Sequence, residues 1–308
     1  MIAPPPYRGR FAPSPTGPLH FGSLVAALGS YLQARSQGGE WLIRIEDIDP
    51  PREVAGAKAG ILRTLERLRL CWDGTVVYQS QRLASYDEAL EQLAAKGVLY
   101  GCTCTRRDLT NLGKRGPHGW IYPGTCRRQA HQRSDSLALR VRTHERPIGF
   151  HDALQGTQSQ VIEREVGDFV VKRADGLIAY QLAVVIDDAR QGITEVVRGS
   201  DLLDSTPRQI HLQHLLALPT PDYLHLPLAL DPRGRKWTKK HGAQPVNPKK
   251  CGPEITLALS FRNHRPPRDL QNAPPGELLE WGIVNWQSSR LPPVPGIPLL
   301  QPETTTQR

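Results

Sequence analysis

The sequence predicts an α/β protein organised around a doubly wound parallel sheet, and three observations lead there. Strand-like and helix-like apolar patterns alternate through residues 8–70 and again through 193–217. A turn rich in proline, glycine and small hydroxyl residues, RFAPSPTGPLHFGS at residues 10–23, runs directly into an apolar helical pattern, LVAALGSYL. Between the two alternating blocks, a segment rich in Cys, Arg, Gly and His breaks the rhythm, as an insertion does.

Taken in order, residues 8–11 read as a short strand and 22–35 as the helix after the turn. Residues 41–46 form a second strand, and 54–70 an amphipathic helix with Ile61, Leu62, Leu65 and Leu68 on its apolar face. A helix over 84–96 precedes the cysteine-bearing segment at 101–132. The parallel sheet is expected to resume after it: 169–172 and 177–180 flank Arg173-Ala174-Asp175-Gly176, whose Asp-Gly is a hairpin signal. A helix over 182–189, a strand over 193–198 and a helix over 206–217 complete a further crossover. Residues 266–302 are proline-dense with one helical stretch at 277–286, and this tail is expected to dock loosely or fray. No internal repeat is present. The chain divides into 1–100 and 166–230 as two halves of one catalytic domain, 101–165 as the insertion, and 231–308 as a basic loop, a short helical region and the tail.

A length of 308 residues suits one large α/β domain with an insertion, or two smaller domains. The balance of 39 Lys+Arg against 30 Asp+Glu, a net charge of +9, favours a polyanionic partner. The opening residues, MIAPPPYRGRF, lack the apolar core of a signal peptide, and no apolar run reaches membrane-spanning length. A cytoplasmic protein with no membrane partner is expected. Five cysteines, an odd number, argue against a disulfide framework.

The proline turn exposes backbone N–H groups and a helix N-terminus, which together suit a polyphosphate. His20 adds a donor there, and Gly22 lets a nucleotide approach the backbone. The basic run RGRKWTKK at 233–240 reads as a flexible loop for phosphates, an RNA-backbone contact or a solvated face. Cys102-Thr103-Cys104 followed by Cys126 has zinc-knuckle spacing, with His118 or His131 as the fourth donor by side-chain chemistry. Four protein ligands leave no open position, so the ion is expected to be structural. Around it Arg106, Arg107, Lys114, Arg115, Arg127 and Arg128 could meet RNA phosphates, with Trp120 as a stacking surface. Cys71 and Cys251 are isolated and read as structural.

RFAPSPTGPLHFGS resembles the HIGH-motif region of class I aminoacyl-tRNA synthetases in its glutamyl and glutaminyl form. WLIRIEDIDPPRE and YQLAVVIDDARQGITEVVRGSDLLDSTPRQ resemble the same group's later segments, so the likeness spans roughly residues 8–238. The His-Phe-Gly-Ser quartet and the short length most resemble the glutamyl-Q tRNA(Asp) synthetases, a family of truncated paralogues. The resemblance implies a Rossmann-like sheet and ATP, with Mg²⁺, activating glutamate to its adenylate. Lys236-Trp237-Thr238-Lys239-Lys240 is similar to the family's KMSKS signature. It implies that Lys239 contacts the departing pyrophosphate and that Lys236 joins His20 and Gly22 in the catalytic set, although Trp237, Thr238 and Lys240 depart from the pattern. By the same resemblance Arg10, Ser14, Glu46, Tyr180 and Arg198 form the amino-acid site. Arg10 would hold the side-chain carboxylate, Glu46 the ammonium, and L-glutamate is preferred to uncharged glutamine. Val184 stands where glutamyl enzymes usually carry asparagine, which predicts weaker glutamate affinity. For the zinc, the resemblance points to Tyr122 as the fourth ligand. It also implies, for a monomer, that the acceptor is the cyclopentenediol of queuosine in the anticodon loop of tRNA(Asp). Two other readings stay open: a minimal glutamyl-tRNA synthetase charging an acceptor end, and a non-enzymatic zinc-containing RNA-binding protein.

Overall fold

The computed structural model describes residues 6–129, 137–237 and 244–299. It opens with the parallel strands β1 (Arg8–Phe11), β2 (Glu40–Ile45) and β3 (Val77–Tyr78), side by side in that order. Helices α1 (Phe21–Ser36), α2 (Ala57–Arg67) and α3 (Leu83–Ala95) occupy the connections. The second helix is shorter than the pattern over 54–70 because Gly56, at φ 76°, precedes it and Arg69, at φ 58°, turns the chain away just beyond it.

Next come β4 (Leu99–Cys102), α4 (Arg106–Leu112), the hairpin of β5 (Lys114–Gly116) and β6 (Gly119–Ile121), and β7 (Ala138–Val141). They are followed by β8 (Ile148–Asp152), β9 (Gly156–Gln160), the single turn α5 (Ile162–Glu165) and β10 (Phe169–Lys172). The chain continues through α6 (Tyr180–Arg190), β11 (Glu195–Gly199), a 3₁₀ turn over Ser200–Ser205, α7 (Thr206–Leu216), β12 (Asp222–Leu226) and β13 (Leu228–Leu230). It ends with α8 (Cys251–Ser260), α9 (Pro275–Asn285) and β14 (Gly296–Pro298).

Strands β11, β12 and β8 are parallel, with β9 antiparallel on the outer edge. β11 begins beside β1, where the Thr194 N–H donates to the Arg8 carbonyl at 2.9 Å. The two parallel blocks therefore meet between β1 and β11, the arrangement of a doubly wound sheet. Alternation places the sheet's two faces in two cores. Trp41, Ile43, Val197 and Leu224 join α1, α2, α8 and α9, whereas Val196 and Tyr223 join α3, α6 and α7.

Three expectations need correction. The parallel sheet does not resume at 169–172, because β10 pairs antiparallel with β7, whose other neighbour is β4. Nor do residues 177–180 form a strand: beyond the Asp-Gly turn only an isolated bridge, Lys172 to Ile178, holds the segment. Extended backbone at Ala179, ψ 144°, then leads into α6, so Tyr180 begins a helix. The tail, through residue 299, is docked rather than frayed. Leu278, Leu279 and Trp286 are buried against the first core, and β14 runs parallel to β13. Proline density misleads there because Pro275 starts α9, where its missing N–H costs nothing. Among the described residues no helix is long and apolar enough to cross a membrane.

Candidate active site

The carboxyl ends of β1 and β11 open onto a cleft of about 940 Å³. One wall is the proline turn. Glu46 N–H donates to the Pro13 carbonyl and Val54 N–H to that of Pro15, both at 3.0 Å, which ties the turn to the segment after β2. Gly17, at φ 126°, allows the chain to reverse there. His20 caps α1, its Nδ1 accepting the Ser23 N–H at 3.3 Å, and the first turn carries no acidic residue. The positive end of that helix is thus left for an anion. A side chain on Gly22 would come within 3.2 Å of the His20 ring, so that glycine keeps room for the imidazole.

The opposite wall comes from β11, the turn after it, β13 and the segment up to Trp237. Lys236 pairs with Asp201 at 2.5 Å, and Trp237 packs on Phe21 with ring centroids 6.1 Å apart. Arg10, Ser14, His20, Gly22, Glu46, Tyr180, Arg198 and Lys236 all line this one cleft. Lys239 lies outside the described residues. Val184 is buried in the second core and is not part of the lining.

Behind the lining is a buried ionic network that the sequence reading did not anticipate. Asp188 takes Arg10 Nε at 3.1 Å and Arg44 Nη1 at 2.7 Å, and Arg44 Nη2 reaches Glu46 at 3.3 Å. Asp187, alongside, accepts from Tyr86 and Gln79 and pairs with Arg82 at 2.7 Å. Burial raises the Asp188 carboxyl, but Arg10 and Arg44 outweigh it and hold the group below its usual range. At Glu46 burial wins: Arg44 and Arg10 pull down, Asp188 pushes up, and the carboxyl ends above its usual range. The available signal was two adjacent acids at the end of an apolar helix and an arginine amid apolar residues in β2.

Arg198 is 5% exposed and fixed on two sides. Its Nε donates to His225 Nε2 at 3.0 Å, and Nη2 donates to the Thr206 hydroxyl at 2.9 Å and the Leu202 carbonyl at 3.3 Å. Nη1 has no hydrogen-bond partner among the described residues. Arg10 differs, since Nε and Nη2 both point at Asp188.

In a small core of their own, the Cys102, Cys104 and Cys126 sulfurs lie within 4.8 Å of one another, and none of the three is in a disulfide. The Tyr122 oxygen lies 3.5 Å from Cys102 Sγ and 3.9 Å from Cys104 Sγ, and it accepts the Cys126 N–H at 2.9 Å. Such a cluster can hold a metal ion, and its soft donor set suits zinc. His118 faces elsewhere, with Nδ1 at 2.9 Å from Asp204 and Nε2 at 3.3 Å from Glu165; His131 lies outside the described residues. Of the surrounding cations, Arg127 is spent internally on Glu163 and the Thr143 carbonyl, whereas Arg106, Arg107, Lys114, Arg115 and Arg128 are exposed, as is the Trp120 ring.

A doubly wound sheet with a histidine-capped helix and an acid-and-arginine cleft at its switch point is the catalytic architecture of class I synthetases. Residues 7–257 match the family model for class I tRNA synthetases (E and Q), catalytic domain. The chain is 52% identical over 286 residues to a glutamyl-Q tRNA(Asp) synthetase of Ectopseudomonas mendocina, covering 93% of this chain and 95% of that one. It is 50% identical over 289 residues to the protein of that name from Chromobacterium violaceum, covering 94% and 96%. A glutamate tRNA ligase of Elizabethkingia meningosepticum, solved with its amino acid, shares the fold at a TM-score of 0.79 and 24% identity, over 96% of this chain and 67% of that one. The chain belongs to the glutamyl and glutaminyl class I synthetase family, within its glutamyl-Q tRNA(Asp) branch, and is a ligase of the glutamate–tRNA type.

Proposed function

We propose that this chain activates L-glutamate with ATP, without needing tRNA for that step, and passes the glutamyl group to the cyclopentenediol of queuosine at the wobble position of tRNA(Asp). In the first step a glutamate α-carboxylate oxygen attacks the α-phosphorus of ATP, forming the adenylate and releasing pyrophosphate. In the second a cyclopentenediol hydroxyl attacks the acyl carbon, AMP leaves, and the hydroxyl proton is lost.

The observation that carries the proposal is the juxtaposition, in one cleft, of Arg198, whose buried Nη1 has no hydrogen-bond partner among the described residues, the buried Glu46 and the histidine-capped, acid-free start of α1. Arg198 offers a cation to the side-chain carboxylate, and Glu46 an anion to the ammonium. Arg10, Ser14 and Tyr180 frame the amino acid between them. Held across Asp188, Arg10 supplies positive field to the carboxylate end while its fork stays engaged. The α1 N-terminus, His20 and the space at Gly22 take the triphosphate. Lys239 and Lys236 balance charge building on pyrophosphate, which positioning and electrostatics can stabilise without covalent help from the protein. Mg²⁺, bound with ATP, would neutralise phosphate charge. Cys102, Cys104, Cys126 and Tyr122 would hold one structural zinc. The relatives' name supports queuosine in tRNA(Asp) as the acceptor; on this proposal the chain acts as a monomer and meets that tRNA in the cytoplasm.

The test is labelled-glutamate transfer to total tRNA with and without queuosine, run beside glutamate-dependent pyrophosphate exchange in the absence of tRNA. Exchange without tRNA together with queuosine-dependent labelling is expected. Labelling of queuosine-free tRNA would instead favour acceptor-end charging.

A further inference from the structure

Arg198 lines the cleft, and its guanidinium is buried with Nη1 unpartnered among the described residues, so something else must hold it in place. Arg198 Nε can only donate, and it lies 3.0 Å from His225 Nε2. That nitrogen must therefore be the imidazole's bare acceptor. The proton then belongs on Nδ1, which lies 2.6 Å from Asp152 Oδ2, an oxygen able to receive it. The Asp152 carboxylate is itself fixed: Oδ1 accepts the N–H groups of Leu154 at 3.0 Å and Gln155 at 2.8 Å, and the His225 N–H reaches Oδ2 at 3.0 Å. His225 and Asp152 are both fully buried, and neither lines the cleft.

We infer that Asp152 and His225 are positioning residues for substrate selection: Asp152 fixes the imidazole tautomer, and the bare Nε2 of His225 holds the cleft-lining Arg198 so that its guanidinium receives the side-chain carboxylate of glutamate. The inference rests on the role given to Arg198 under the proposed function. Burial, ahead of the neighbouring Arg198 and against the Asp152 hydrogen bond, lowers the His225 imidazole to about 4. The ring is thus neutral at ordinary pH, as an acceptor of an arginine N–H must be.

Asp152→Asn separates this arrangement from simple packing. The asparagine oxygen, in the place of Oδ1, can still accept from Leu154 and Gln155 and lies 3.2 Å from the His225 N–H, but the amide nitrogen, in the place of Oδ2, now donates toward His225 Nδ1. The ring proton moves to Nε2, where it opposes the Arg198 N–H. In tRNA-independent pyrophosphate exchange, Asp152→Asn is expected to raise KM for glutamate about tenfold or more, with KM for ATP and kcat changed by less than about threefold. Nitrogen-15 NMR of His225 should show an unprotonated Nε2 in the parent and a protonated one in the variant. Should Asp152→Asn not fold, His225→Gln, which keeps an acceptor, is expected to raise the glutamate KM less than His225→Leu, which has none.

An unchanged glutamate KM in Asp152→Asn, or equal effects of His225→Gln and His225→Leu, overturns the inference provided Arg198→Ala itself raises that KM. If Arg198→Ala leaves it unaltered, the assignment of Arg198 to the substrate fails instead. The two failures are thereby told apart.

Discussion

Single residues in this protein carry unusual electrostatic burdens. Arg262 is fully buried, and none of Nε, Nη1 and Nη2 finds a hydrogen-bond partner among the described residues. Burial alone pulls it down to about 9, and the Trp286 ring 5.8 Å away is its main compensation. Replacing a buried, unpaired cation by an apolar side chain of similar shape removes the desolvation cost, so Arg262→Met is expected to stabilise the fold by about 1–2 kcal/mol. A melting temperature below the parent's would refute this. Glu46 bears the opposite burden. Its carboxyl must be ionised to pair with an ammonium, yet burial holds its titration above the usual range. Glutamate affinity should therefore begin to fall, as pH is lowered, at a higher pH than an ordinary carboxylate would give. Glu46→Gln should bind glutamate weakly at every pH and flatten that profile. Titrating glutamate binding in both proteins from neutral to acid checks it.

At the scale of elements, the zinc-type cluster ends β4 and is closed by the turn carrying Cys126. Its own small core, Tyr100, Cys102, Tyr122 and Cys126, is separate from the two cores of the sheet. Burial, followed by the Cys126 and Cys102 sulfurs, pushes the Cys104 thiol up to about 12, so three thiolates need a cation to coexist. Cys104→Ser is expected to lose the metal and to speed amide exchange in α4 and the β5–β6 hairpin while α1 and β2 keep their protection. Stoichiometric zinc in the purified variant would show that the ligand set is wrong. The strand–helix order through β2 and α2 was legible because each element writes its own period into adjacent residues. β8, β9 and β12 were not, since their place depends on pairing with distant strands. Tyr180 was legible as a candidate for the cleft, which it lines, but not as a helix start, because one bridge at Ile178 decides where the strand-like backbone stops.

On the scale of the whole molecule, residues far apart in sequence are brought to one edge. Arg10, Glu46 and Arg198 could be read in advance because each sits in a recognisable local motif. Asp188 and Arg44 left only a faint mark, charges set among apolar neighbours. His225 and Asp152, 73 positions apart, left none, since only the folded sheet makes β8 and β12 neighbours. The tail is bound in the same long-range way. Trp286 donates to Gln33 at 2.7 Å, Gln33 to Glu195 at 2.9 Å, and Tyr7 to the same carboxylate at 2.6 Å. That chain of bonds joins the end of α9 through α1 to β11 and to Tyr7 just before β1, and the start of α1 lines the cleft.

Trp237, resting on Phe21 at the lip of the cleft, gives the protein a native optical probe. The residue lines the cleft to which the proposed function assigns ATP, so on that proposal occupancy can be followed as light, with no label attached. Emission excited at the red edge of tryptophan absorption should change as ATP is titrated in, and Trp237→Phe should silence most of that change while the other five indoles keep shining.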